Sequence, residues 1–382
     1  MSHKRHLLVS CGGSDQSESL SIRPDNLATI SSYDSIRTVP SKHQTTITAD
    51  YILTCNMVRS KILLSKHISL PTKGECTIPA ETECIFAAGG YIAAGSSDGL
   101  LRLWRESDGE LVAEQQLHIG PITAVFINTS FWVVFAASST GRIGGWCIPD
   151  LFNSAEPDQL WSIHTLPVND IAVSTGCRVF SVSNDKSLKC FDFCAGCEIL
   201  SISFPTALTS VVLANNESIV YCGGNDGRIF QVQISTEASS QSEFVGHTMA
   251  VTDLQISDDD RVLFSSSLDS TVRRWDTATS QCVNSATMKF TPFALRWLPV
   301  LDEKDNQTTK KNKTKAEAIG KQKKGFPRLQ RSITGNHDEL VSAPAEDIPI
   351  LSIEEETTIA MRDLYRAKGL SSEMIQMTVD KE

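Results

Sequence analysis

VGHTMAVTDLQISDDDRVLFSSSLDSTVRRWD, residues 245–276, is the stretch whose reading decides the fold. Its second half, VLFSSSLDSTVRRW from Val262, runs as an apolar strand, a cluster of small residues, a tight turn and a second strand. Four other windows share that order: YIAAGSSDGLLRLW from Tyr91, VVFAASSTGRIGGW from Val133, RVFSVSNDKSLKCF from Arg178 and IVYCGGNDGRIFQV from Ile219. Successive starts lie 42, 45, 41 and 43 residues apart, a regularity that chance does not keep.

That period is the period of WD repeats, which place four strands in each blade of a propeller. Stepping back by the same distance reaches YILTCNMVRSKILL from Tyr51 and then LLVSCGG from Leu7, which is followed by a polar insertion and SLSIR. Seven units result. An apolar strand suited to a central channel precedes each window but the first: TTITA, CIFAAG, ITAVFI, VNDIAV, LTSVVL and VTDLQI. The missing inner strand is expected in FALRWL, where Phe293, Leu295 and Trp297 would close the ring against the N-terminal blade and leave no open sheet edge. The expected fold is all-β: a seven-bladed WD-repeat β-propeller closed by a C-terminal strand, then a disordered basic linker and a short C-terminal helix. Its divisions are 1–300 for the propeller, 301–350 for the linker and 351–382 for the helical tail.

Bulk properties agree with this reading. The chain has 382 residues, 41% hydrophobic and 21% charged, which is ordinary for a globular protein. MSHKRHLLVSCGGSD contains too short an apolar stretch for a secretory signal, and no segment approaches the roughly 18 apolar residues of a membrane span. The 11 cysteines, an odd number, are expected as reduced thiols.

In the repeat that opens this section, His247, one of Ser265 and Ser267, Asp269 and Trp275 hold the positions that form a buried hydrogen-bonded chain in WD repeats. Satisfied buried polar groups of this kind stiffen a blade and fix its register. A hydrolase triad is the competing reading of His, Ser and Asp. His247 recurs by register at His164 and His118, and the serines lack the G-x-S-x-G elbow that exposes a nucleophile, so the repeat accounts for all three. Thr140 replaces the Asp, Phe191 and Val232 replace the Trp, and Val58 and Leu64 replace both in the second blade. Those blades are expected to lose the polar chain and keep their apolar packing.

No cofactor or metal site is expected. Cys190, Cys194 and Cys197 include one C-x-x-C, but they lie on one predicted turn without the second pair that zinc usually needs. GGNDGRIF, YCGG and SCGGSD lack a Walker lysine, and their glycines read as turn residues. Carboxylates fall mostly in turns and tail, so no acid/base pair stands out. The expected protein is not an enzyme.

After Pro299 the composition turns polar. Between Lys310 and Arg331, nine basic residues, among them Lys310, Lys311, Lys313, Lys315, Lys321, Lys323 and Lys324, face one acid, Glu317. That net +8 segment leaves about −18 on the rest of a chain whose total is −10. A nuclear import signal, an RNA-phosphate contact and a plain linker all fit such a run. Further on, SIEEETTIAMRDLYRAKG opens with a capping box at Ser352 and Glu355 and ends at Gly369. Ile353, Ala360, Leu364 and Ala367 share one face, for docking on the propeller, on a partner or on a second copy.

From Leu160 to Val283 the chain resembles the WD repeat-containing protein 18 family of pre-rRNA-processing factors. The phrases that carry this are LWSIHTLPVNDI, IVYCGGNDGRIFQVQI and the repeat from Val245 through TATSQCV. The second is the most specific, since it ends in Ile-Phe-Gln-Val where most WD repeats have Trp. The resemblance implies a scaffold in the Rix-type complex on pre-60S particles, supporting removal of the second internal transcribed spacer in nucleolus and nucleoplasm. Its implied partners are an armadillo-like scaffold subunit and the midasin ATPase, with a possible pre-rRNA contact. Two other classes compete: an adaptor or substrate receptor of a ubiquitin ligase or signalling complex, and an RNA-binding propeller.

Overall fold

A computed structural model describes residues 6–12, 18–24, 31–36, 43, 45–48, 51–56, 61–66, 74–77, 82–107, 109–116, 120–149, 151, 157–234 and 241–298. These residues form seven antiparallel sheets of four strands each. Six sheets use consecutive strands. Sheet 1 instead combines His6–Gly12, Glu18–Pro24 and Ser31–Ile36 with Thr291–Trp297, so both ends of the described chain build it.

The innermost strands are Thr291–Trp297, Thr45–Ile47, Thr82–Ala88, Ile122–Asn128, Val168–Val173, Leu208–Leu213 and Val251–Ile256 for sheets 1 to 7. Each contacts the next in that order, and Val251–Ile256 contacts Thr291–Trp297. This is a β-propeller arrangement. Second strands are caught between neighbouring sheets and are buried on both faces, as along Val133–Ser138. The outer strands Cys197–Ser203 and Cys282–Thr287 are largely exposed, whereas Leu111–Gln116 buries Leu111 and Ala113. Aromatic side chains fill the wedge between sheets 4 and 5, where Phe135 meets Phe193 edge-on at 5.3 Å and Trp161 packs on Phe191 at 5.5 Å.

One device repeats along the inner strands. The register slips at Thr82/Cys84, Ile122/Ala124, Val168/Asp170, Leu208/Ser210 and Val251/Asp253, a bulge at the same place in five sheets. In sheets 5, 6 and 7 the skipped residue turns its side chain to the next inner strand, whereas Thr123 of sheet 4 donates to the Ala137 carbonyl of its own sheet. Asn169 donates to the Leu208 carbonyl at 2.6 Å, Thr209 to Val251 at 2.6 Å and Thr252 to Pro292 at 2.7 Å. Where an aspartate follows, it accepts the next sheet's backbone: Val211 N–H donates to Asp170 at 2.7 Å, and Leu295 N–H to Asp253 at 2.9 Å. At the opposite ends of the strands, Asn128 reaches Ser174, Thr175 reaches Glu217 and Asn215 reaches Asp260. Sheets 5, 6 and 7, and sheet 7 with sheet 1, are therefore joined by hydrogen bonds at both rims as well as by apolar contact.

Two expectations need correction. The closing strand begins at Thr291, and Phe293 sits at its register slip, half-buried and unpaired with His6–Gly12, while Leu295 is fully buried and Trp297 packs edge-on against Phe264. Gly223 and Gly224 lie in the strand Ile219–Gly224 rather than in a turn. A Cβ on Gly223 would sit 2.7 Å from Val251 Cγ1, so this glycine is needed for the close approach of the next inner strand, whereas Gly227, at φ +87°, does serve the turn. Two carboxylates, Asp170 and Asp253, are buried on inner strands.

Candidate functional site

The polar residues of sheet 7 come together in one chain. His247 Nδ1 lies 2.9 Å from Asp269 Oδ2, and its Nε2 lies 2.7 Å from Ser265 Oγ. Trp275 Nε1 donates to the same Ser265 oxygen at 2.7 Å. With that oxygen accepting from indole, the Ser265 hydroxyl donates to Nε2, and imidazole donates from Nδ1 to the carboxylate. Thr271 Oγ1 and the Thr248 N–H complete the shell around Asp269. Ser267 stands apart, donating to the Met249 carbonyl and accepting the Asp269 N–H.

The connectivity is that of a hydrolytic triad, but the setting is not. Ser265 is fully buried beneath Trp275 and beyond the reach of a substrate. These bonds instead fix the loop before the inner strand to the turn between strands two and three.

Sheet 5 corrects the expectation for degenerate repeats. Phe191 holds the Trp position there, yet His164 keeps Asp185 at 2.9 Å and Ser181 at 2.8 Å, and only the indole link is missing. In sheet 4, Ala136 stands where Ser265 stands in sheet 7, and the Trp146 indole N–H is buried with no partner among the described residues. His118 and Val58 lie outside the described residues.

Burial holds His247 below the ordinary imidazole value of 6.5, outweighing the pull of Asp269, and holds His164 down in the same way against Asp185. For Asp269 burial acts upward, but donation from Thr271, His247 and Thr248 outweighs it and brings the carboxyl to about 2. Both directions act the same way on stability. A lowered histidine value means that the unfolded chain takes up the proton first, so stability is lost as pH falls below about 6.5. The Asp269 contribution is present above its unfolded value near 3.8 and is lost as pH falls toward about 2. Urea melts between pH 7.5 and 5 should show falling stability in the parent chain and a flatter profile in the His164→Gln/His247→Gln variant; parallel profiles would refute the assignment.

An axial cavity of about 260 Å³ is lined by the inner strands and by His43, Asp170, Asp253 and Arg296. His43 donates across it to the Asn169 carbonyl at 3.0 Å and lies 3.6 Å from Asp170. Arg296 spans three sheets, bonding Asp253 of sheet 7 at 2.6 Å and the Thr45 carbonyl of sheet 2 at 3.2 Å from its own place in sheet 1. Sequence reading missed these four residues; the recurring polar pair in VNDIAV and VTDLQI was the signal that could have found the aspartates.

Cys190 is buried in a strand, Cys194 sits in the following turn and Cys197 begins the exposed outer strand. Burial pushes the Cys190 thiol up to about 12, away from thiolate chemistry. Among the described residues no three His, Cys, Asp or Glu side chains gather as a metal would require. The lysine run 310–324 and the helix positions Ile353, Ala360, Leu364 and Ala367 lie outside the described residues.

The sheets stacked in this order and the His-Ser-Asp-Trp chain of sheet 7 have the form of WD repeats, and the family "WD domain, G-beta repeat" matches residues 238–276. Among known proteins, the chain is similar to WD repeat-containing protein 18 of Bos taurus, at 29% identity over 265 residues. That match covers 64% of this chain and spans 61% of the relative's length. It is also similar to pre-rRNA-processing protein IPI3 of Yarrowia lipolytica, at 27% identity over 238 residues and 55% of each chain. The crystal structure of the computationally designed Ika8 protein shares the fold, with a TM-score of 0.61 at 16% identity over 78% of this chain and 92% of that one.

Proposed function

We propose that this chain is a non-catalytic scaffold in ribosome biogenesis, built as one closed seven-bladed ring that holds other proteins while the large ribosomal subunit matures. The observation that carries this reading is its similarity to proteins named for pre-rRNA processing, over 55% of the chain for one and 59% for another. The buried polar chains support it, because they spend their serine and histidine on rigidity. A rigid ring with variable turns on both rims is a surface for partners.

On this reading the ring engages an armadillo-like subunit of a Rix-type complex, and the midasin ATPase works on the same pre-60S particle. Chemistry, including removal of the second internal transcribed spacer, belongs to other members. The basic run from Lys310 to Arg331 directs entry to the nucleus, and the segment from Ser352 to Gly369 serves as a partner or self-association helix.

Depletion is the direct test. Precursors that retain the second internal transcribed spacer should accumulate, and 60S subunits should fall relative to 40S in sucrose gradients. Normal precursors and normal 60S levels after complete loss would overturn the proposal, and co-purification with ubiquitin-ligase subunits would replace it.

A further inference from the structure

The repeat supplies its own comparison for the arginines of the third strands. In sheet 3, Arg102 is met at 2.8 Å by Glu114, which stands opposite it on the outer strand. In sheet 6, Arg228 is met by Asp226 at 2.7 Å and by Glu243 at 3.3 Å. Glu114 and Glu243 hold one register position, and in sheets 4 and 7 that position falls to Leu160 and Ser285. Both of those sheets nevertheless keep an arginine. Arg142, exposed at the start of its strand, sits where Arg228 does, but Thr140 replaces Asp226 and Leu160 replaces Glu243, so neither carboxylate is there to meet it. Arg273 sits where Arg102 does, over the Trp275 ring at 6.0 Å and with a long contact to Cys282 Sγ at 4.0 Å, and its Nε is buried without a hydrogen-bond partner.

Aliphatic side chains stand beside both cations. Leu160, 47% exposed, lies on the same face of sheet 4 as Arg142, one alternation along the outer strand. Leu166 is 48% exposed, and its carbonyl lies against Gly141, the neighbour of Arg142. The Arg273 guanidinium lies close to Gly246, the neighbour of Val245, which is 69% exposed. Met249, 51% exposed, follows His247 by two residues, as Leu166 follows His164, so the two hold one position in the loops before the inner strands. Large aliphatic groups that recur together on a folded surface mark a place where something docks.

The chemistry selects the kind of partner. Guanidinium groups take carboxylates in paired hydrogen bonds, and aliphatic surface is covered by aliphatic surface. Single-stranded nucleic acid offers phosphates to arginine, but its bases stack on aromatic side chains, and the exposed groups here are leucine, valine and methionine. On the reading that the ring holds other proteins, we propose that the rim of sheets 4 to 7 docks a partner segment in which Asp or Glu stands next to large aliphatic residues. Its carboxylates meet Arg142 and Arg273, and its apolar side chains cover Leu160, Leu166, Val245 and Met249.

The test sets the immobilised full chain against a random-peptide phage library. Enriched peptides should carry Asp or Glu beside Leu, Ile, Val or Met. A fluorescein-labelled copy of the most enriched peptide should bind the Arg142→Glu/Arg273→Glu variant at least about tenfold more weakly than the parent, at an unchanged Tm. A peptide with Lys in place of its acids should recover binding to that variant and not to the parent. Arg142→Glu alone changes an exposed side chain and should also weaken the labelled peptide, which keeps the test decisive if the double variant does not fold. No enrichment, enrichment without acids, or equal binding to the parent and Arg142→Glu would overturn the inference. So would a labelled oligouridylate that competes for the same arginines, which would make the rim an RNA surface, or self-association that the substitutions abolish, which would make it a contact between copies. If spacer-containing precursors still accumulate on depletion, any of these outcomes removes the docking rim and leaves the scaffold reading standing.

Discussion

A chain ending at residue 290 is expected to aggregate or be degraded, whereas one ending at residue 301 is expected to stay soluble and folded. Thr291–Trp297 is one of only two strands paired with His6–Gly12. Its loss removes Leu295 from a cluster with Leu7, Val9, Phe264 and Val272, and exposes Leu7, Leu8 and Val9, now at most 1% exposed. At about 1.5–3 kcal/mol for each large apolar side chain, the loss is on the order of 10 kcal/mol. That equals the whole stability of a typical domain. It also leaves a free inner edge open to pairing with other chains. Limited proteolysis and size-exclusion chromatography of the two truncations check this; indistinguishable behaviour would show that the strand is dispensable.

Asp253→Ala should be the most damaging single substitution on the inner strands. The carboxylate is buried and accepts from Leu254 N–H, Leu295 N–H and Arg296. Removing it takes away the carboxylate that pairs with the Arg296 guanidinium at 2.6 Å and leaves the Leu295 N–H unpaired between sheets. Breaking a buried ion pair from one side costs about 3–5 kcal/mol. In a domain of this size that lowers Tm on the order of 10 °C. Replacing both partners, as Asp253→Ala/Arg296→Met, should recover much of the loss, because no charge is then left alone. A Tm within about 2 °C of the parent for Asp253→Ala, or a double variant worse than the single, would contradict this account.

The strand pattern was legible because one spacing governs it: windows near 42 residues apart place every second and third strand, and alternation places the strands before them. His247, Asp269 and Trp275 were legible for the same reason. The choice between Ser265 and Ser267 was not, since both lie on one strand and only the close approach of His247 Nε2 and Trp275 Nε1 to Ser265 separates them. Asp185 and Ser181 were overlooked because Phe191 in the Trp position suggested that the chain was gone, although imidazole, carboxylate and hydroxyl need no indole to bond one another. Asp170, Asp253 and Arg296 carry no local signal of their partners, which lie on another sheet, about 40 residues or more away in sequence.

Sheet 1, assembled from both ends of the described chain, also sets an order of events during translation. His6–Gly12 leaves the ribosome first, and its inner partner Thr291–Trp297 follows some 285 residues later. At roughly 5–20 residues per second, on the order of 15–60 s separate them. Over that interval Leu7, Leu8 and Val9 wait without their cover while sheets 2 to 7 form from neighbouring segments with short loops to close. Of the strands described, the one made first is therefore among the last to gain its inner partner, and its apolar residues are the ones that stay longest in need of cover.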